Sequence, residues 1–83
     1  MITLAEVKES LRTFIAETSL YPPEKVKYET LIFEEGIFDS LGFLALINFI
    51  EERFKIKASD AELLESNFES IDAMAGFINS KLN

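Results

Sequence analysis

The chain has 83 residues, and fifteen Asp plus Glu against eight Lys plus Arg leave it with a formal net charge of −7. It contains neither Cys nor His, which excludes disulfides, thiolate nucleophiles, Cys/His zinc sites and His-based triads together. The length predicts one domain over residues 1–83 with a modest core, and the acidic surface argues against nucleic acid, whose phosphates it would repel.

Helical spacing is the dominant signal along the chain. The first predicted helix runs from Leu4 to Thr18, with Leu4, Val7, Leu11, Phe14 and Ile15 on one stripe. Thr3 followed by Glu6 forms a capping-box pair at its start. Residues 19–38 read as a long connection, since Tyr21-Pro22-Pro23 cannot continue a helix. Leu31, Ile32 and Phe33 are too apolar for a solvated linker and are expected to pin it to the core, with Gly36 supplying a turn near its end. A connection of this length in a small domain is usually functional.

The second predicted helix starts at Asp39-Ser40 and ends at Phe54. Phe43, Leu46, Ile47, Ile50 and Phe54 share one face, with Leu44 at its edge. The opposite face carries Leu41, Ala45, Asn48 and Glu52, and Phe49 also lies away from the apolar centre. A helix apolar over more than one stripe either packs on several sides or shows apolar groups to a partner. Ser59 and Glu62 form another possible capping box, before a short helical turn predicted between Asp60 and Phe68. The last helix begins after Ser70 and places Ile71, Met74, Ala75, Ile78 and Leu82 at core spacing.

No segment has the period of two that marks a strand, and no repeat is visible. The predicted fold is all-α: a small four-helix bundle with three main helices, one short one and a long first loop. No apolar run reaches membrane-spanning length, so no stable membrane insertion is expected. MITLAEVKES shows neither a basic n-region nor an apolar h-region, so a cytoplasmic monomer is the expectation.

Self-contained catalysis is not expected. Without His, a serine would need an unusual base, and three main helices leave little room for a carboxylate cleft. The glycines, at 36, 42 and 76, are too scattered for a phosphate-binding loop. The remaining constellation is Phe33-Glu34-Glu35-Gly36-Ile37-Phe38-Asp39-Ser40-Leu41, which leads directly into the apolar helix. Taken alone, Asp39-Ser40 reads as a plain N-cap pair.

Taken with the full layout, the chain resembles the acyl carrier protein family, whose hallmark is an Asp-Ser-Leu-like triplet opening the second helix. The resemblance implies a four-helix bundle of acyl-carrier type, and a carrier rather than an enzyme. It implies that Ser40 bears a 4′-phosphopantetheine arm through a phosphodiester, installed from coenzyme A by a phosphopantetheinyl transferase. An acyl or aminoacyl group would ride on the arm as a thioester, placed there by a loading ligase and collected by a downstream transferase. Asp39 would assist recognition by the phosphopantetheinyl transferase. By position Leu41, Leu44 and Asn48 match the family's partner contacts, although Leu44 reads equally as core edge.

Many fatty-acid-type members carry acids just after the triplet and one turn later. Here those positions are Gly42 and Ala45, and acid returns only at Glu51 and Glu52. The stretch Ile32-Phe33-Glu34-Glu35-Gly36 with Gly42 is similar to the D-alanyl and other stand-alone aminoacyl carriers. A specialised lipid, envelope or aminoacyl-transfer pathway is therefore the expected setting. Gly42 costs a helix about 1 kcal/mol relative to Ala, which predicts looseness beside the serine. The competing reading is an unmodified helical interaction domain that binds through Leu41, Phe49 and their neighbours. A small carboxylate enzyme is the remaining alternative.

Overall fold

Four α-helices form along the chain in a computed structural model that describes residues 2–82. They are α1 (Leu4–Ser19), α2 (Ser40–Phe54), α3 (Glu65–Phe68) and α4 (Ile71–Leu82), with single 3-10 turns at Pro23–Lys25 and Asp60–Glu62. No strand occurs among the described residues.

The predicted caps are present as geometry. Thr3 Oγ1 accepts from the Glu6 amide at 3.2 Å, while Glu6 Oε1 accepts from the Thr3 amide at 2.9 Å. That reciprocal pair satisfies donors which the first turn leaves open. The backbone hydrogen bond from Thr3 holds the Glu6 carboxyl below its ordinary pKa. The Ser59–Glu62 box forms as well. Ser70 Oγ accepts from the Ala73 amide at 3.1 Å and caps α4. α1 runs one residue beyond the expected end. Ser19 Oγ donates to the Ile15 carbonyl, and Leu20 turns the chain in the left-handed region at φ 64°. The element expected between Asp60 and Phe68 divides in two, because Leu63 and Leu64 leave helical geometry between the 3-10 turn and α3.

The core is aliphatic where α1 meets α4. Val7, Leu11 and Ile15 face Ile71, Met74, Ala75 and Ile78, and all are buried. Leu4 and Leu82, at the ends of those stripes, stay exposed. α2 adds Leu46, Ile50 and Phe54. Around this core the eight phenylalanines form two ladders. One runs Phe33–Phe43–Phe68–Phe77 with centroid spacings of 5.5, 5.6 and 5.1 Å. The other runs Phe38–Phe14–Phe49–Phe54, with Phe14 and Phe49 stacked at 4.2 Å. Phe49 is thus a packing residue between α1 and α2, and its partial burial removes it from the exposed surface the interaction-domain reading gave it. Edge-on and offset ring pairs of this kind each add about 1 kcal/mol beyond their burial.

The long connection is ordered by buried side chains and backbone hydrogen bonds. Val26 and Ile32 are fully buried, and Phe33 is half-buried. Leu31 remains exposed, so the pinning falls to Ile32 and Phe33 rather than to all three. The Ile32 amide donates to the Glu69 carbonyl at 3.0 Å, and the Ile32 carbonyl accepts from both Ile37 (2.8 Å) and Phe38 (3.1 Å). Gly36 takes φ +75° and closes that turn, a conformation open to glycine at no steric cost. At the other end the Asp72 amide donates to the Tyr28 carbonyl.

A polar clamp surrounds Tyr28. Its hydroxyl donates to Glu9, Arg12 pairs with Glu9 at 2.9 Å, and Lys8 pairs with Asp72 at 3.0 Å. Lys8 and Arg12 also lie over the Tyr28 ring. The tyrosine hydroxyl, then Arg12, hold the Glu9 carboxyl below its ordinary value; the same hydrogen bond pushes the Tyr28 phenol up.

Candidate functional site

The site is built at the junction of the long connection and α2. Asp39 is the N-cap: its Oδ1 accepts from the Gly42 amide at 3.0 Å, and its carbonyl accepts from the Phe43 amide at 2.9 Å. Helix geometry gives the amides of Ser40 and Leu41 no intrahelical acceptor. Ser40 is the first residue of α2 and is exposed. Its neighbour Phe38 is buried, so the chain passes from core to surface within two residues.

A groove of about 480 Å³ opens beside Ser40. Phe33, Phe38, Phe43 and Leu63 supply its apolar lining, and Asp39, Ser40 and Glu65 its polar rim. A second recess, of about 340 Å³, shares Phe38 and Asp39 with the groove and reaches Thr18, Leu41 and Ala45. Ser40 therefore stands on a ridge between two concavities. The surroundings are acidic. Between Lys27 and Arg53 the chain has six acidic residues, Glu29, Glu34, Glu35, Asp39, Glu51 and Glu52, and no basic one. Among the described residues no cluster of three potential metal ligands occurs.

The structure brings Asp39, Ser40 and Leu41 together as their adjacency requires, with Leu41 76 % exposed. Leu44, 63 % exposed, and Asn48 continue the same face of α2 but line neither concavity. The core-edge alternative for Leu44 is thereby set aside. Of the two acids near the helix end, Glu52 is exposed, whereas Glu51 accepts from the Ala58 amide at 3.0 Å and closes the end of α2.

Two parts of the site were not visible in the sequence. Leu63 and Glu65 reach the groove from the segment between α2 and α4, and no local pattern marks them. Gly42 was expected to loosen the helix start. Instead, a Cβ at that position would lie 2.9 Å from Phe38 Cγ and 3.0 Å from Cδ1, so glycine there allows close packing. Only the missing side chain itself could have signalled this.

A phosphate-linked group fits what is present. The attachment point must be a hydroxyl open to solvent, and Ser40 offers one. A helix N-terminus with free amides and the positive end of the helix dipole tolerates a phosphodiester. The groove beside it can take apolar atoms.

Comparison with known proteins points the same way. The family described as "Phosphopantetheine attachment site" matches residues 9–78. The anthracycline acyl carrier protein DauA of Streptomyces sp. (strain C5) is 31 % identical over 98 % of this chain and 92 % of its own length. The anthracycline acyl carrier protein DpsG of Streptomyces peucetius matches at the same identity and coverage. The acyl carrier protein of Thermosynechococcus vestitus (strain NIES-2133 / IAM M-273 / BP-1) is 30 % identical over 94 % of each chain. The chain belongs to the acyl carrier protein family: it is a carrier with phosphopantetheine as its cofactor, and not an enzyme.

Proposed function

We propose that Ser40 is the residue of this carrier to which the 4′-phosphopantetheine arm is attached, and that residues 1–83 act as one carrier domain. The observation that carries the reading is the exposure of Ser40 at the first position of α2, beside a capping Asp39 that leaves the serine hydroxyl uncommitted. In the attachment step the Ser40 oxygen bonds to the pantetheine-bearing phosphorus of coenzyme A. The bond to the adenosine bisphosphate half breaks, and the hydroxyl proton passes to a base on the transferase. Once attached, the arm supplies the thiol that holds cargo as a thioester.

The chain's own residues present and orient. Asp39 fixes the first turn of α2 through the Gly42 amide, and it would face the transferase together with Leu41. Leu41, Leu44 and Asn48 share an exposed face, which we assign to contacts with the loading ligase and the downstream transferase. Gly42 and Ala45 leave the upper part of α2 without acid, so apolar contact by Leu41 and Leu44 carries more of that docking than charge does. Acids occur on the preceding loop instead, at Glu34 and Glu35.

The pathway we propose is a specialised one, lipid or envelope modification or aminoacyl transfer, rather than general fatty-acid synthesis. The absence of acid from the upper part of α2 supports this, and two relatives whose names tie them to anthracyclines support a specialised setting without favouring any of these cargoes. The cytoplasm, where coenzyme A is available, is the compartment this reading requires. No helix of the described residues is long and apolar enough to cross a membrane.

The test is direct. The purified apo protein is incubated with coenzyme A, magnesium and a broad-specificity phosphopantetheinyl transferase, and its intact mass is recorded. One phosphopantetheine unit is expected to add to the wild type and none to Ser40→Ala. A gain that persists in Ser40→Ala would move the attachment elsewhere. No gain in the wild type would favour the unmodified interaction domain, which the exposed Leu41 and Leu44 also suit.

A further inference from the structure

We propose that Gly42 is a positioning residue for the attachment reaction: by lacking a Cβ it lets the first turn of α2 sit down on the Phe38 ring, and this seat holds the Ser40 hydroxyl where a transferase can reach it. The inference rests on the assignment of Ser40 above.

A Cβ built on Gly42 meets Phe38 Cγ at 2.9 Å, Cδ1 at 3.0 Å and Cβ at 3.2 Å. Ordinary carbon contacts lie at roughly 3.5–4.0 Å. Of the three atoms only Cβ is fixed by the Phe38 backbone; Cγ and Cδ1 move only if the ring leaves its buried rotamer. That backbone is pinned, because the Phe38 amide and that of Ile37 both donate to the Ile32 carbonyl. The ring borders both concavities, but turning it into either gives up its edge-on packing against Phe14 at 6.5 Å and exposes apolar surface that is now buried.

With the Phe38 backbone pinned and its ring held against Phe14, an added methyl group displaces the other partner, the start of α2. Ser40 lies two residues before Gly42 in that same turn. The turn is rigid in itself, because the Asp39 side chain holds the Gly42 amide and its carbonyl holds Phe43. It therefore shifts as a unit and takes the Ser40 oxygen with it. Restoring an ordinary contact from 2.9 Å needs a displacement on the order of half an ångström or more. A misplacement of about 1 Å can cost a group-transfer step about a hundredfold, so about tenfold is the scale expected here.

Gly76 provides the internal control. It also lies within a helix, is exposed, and has nothing within 4 Å of an added Cβ. Gly42→Ala and Gly76→Ala add the same methyl group and gain the same helix propensity; they differ in whether Phe38 stands in the way.

The experiment measures attachment kinetics by intact mass, with coenzyme A and a broad-specificity transferase, on wild type, Gly42→Ala and Gly76→Ala. Thermal melting and the backbone amide chemical shifts are recorded on the same apo proteins. Gly42→Ala is expected to lose about tenfold in kcat with KM held, to melt near the wild type, and to show its largest shift changes at residues 39–43. Gly76→Ala is expected to attach the arm at the wild-type rate. Equal rates for Gly42→Ala and wild type would overturn the proposal. So would a loss confined to KM, or a melting temperature so far reduced that the loss follows the unfolded fraction. A wild type that takes up no arm sinks the assignment of Ser40 instead. The amide shifts of Gly42→Ala then still decide whether the seat exists.

Discussion

α2 and α4 are comparably apolar helices put to opposite uses. α4 turns Ile71, Met74, Ala75 and Ile78 into the core, each with no measurable exposure. α2 buries Leu46, Ile50 and Phe54 but leaves Leu41 and Leu44 in solvent. The contrast shows that apolar content alone does not decide what a helix is for. α4 is closed in by α1 and α3. The upper half of α2 is walled by ring edges on one side and open on the other, and it meets the long connection end-on at Ser40.

Truncation separates the two helices most sharply. Met74→Ala is expected to cost about 2–5 kcal/mol, because the cavity would sit among fully buried neighbours. Leu44→Ala is expected to stay within about 0.5 kcal/mol of wild type, since its side chain gains little from folding. Denaturant unfolding measures both, and similar losses would show that α2 is covered where it reads as open. Loading and turnover should respond in the reverse order. A folded Leu41→Ala is expected to slow transfer more than charge reversal at the exposed Glu52 does. Glu51 is unsuited to that test, because it also binds the Ala58 amide.

The next effect in size sharpens the contrast at the helix starts. Asp39→Ala removes the bond to the Gly42 amide and is expected to cost about 1 kcal/mol. The caps were the most legible features of the chain. Thr3 with Glu6, Asp39, Ser59 with Glu62, and Ser70 all lie where local pattern placed them, because a cap is made by residues three apart. The stripes of α1 and α4 were legible for the same reason. What escaped notice depends on residues distant in the chain. Phe49 looks misplaced on a helical wheel until α1 brings Phe14 to stack on it. Gly42 looks like a weakness until the preceding loop brings Phe38 beneath it. The groove needs Leu63 and Glu65, which follow α2 in the chain, to return beside its first turn. The place of Ser40 at the start of α2 was legible through its neighbours, whereas the close approach of Gly42 to Phe38 was not.

The smallest expected effect concerns the Tyr28 clamp, which ties the long connection to α1 and α4. The Glu9 carboxyl is held down by the tyrosine hydroxyl and Arg12, so the folded state binds its proton less readily than the unfolded chain does. Its contribution is therefore complete above the ordinary value of 4.5 and is lost as pH falls through the lowered folded value. Tyr28 runs the other way. Its phenol is pushed up from 10.0, so its contribution is complete below 10.0 and is lost as pH rises through the raised value. The clamp should weaken at both extremes and hold between them. Tyr28→Phe is expected to flatten both limbs of a melting-temperature profile against pH. A profile unchanged by that substitution would show that the connection is held by its buried residues alone.

One carbonyl described above reaches further than its size suggests. The oxygen of Ile32 takes the amides of Ile37 and Phe38, while the Ile32 amide reaches Glu69 beside α4. The Ile32 proton is released to deuterated solvent only when the connection parts from the α3–α4 corner, and those of Ile37 and Phe38 only when the turn before α2 opens. In a hydrogen-exchange experiment they should fade on the same slow clock as the interior of α4, so the segment leading to the serine behaves as framework rather than as a flap.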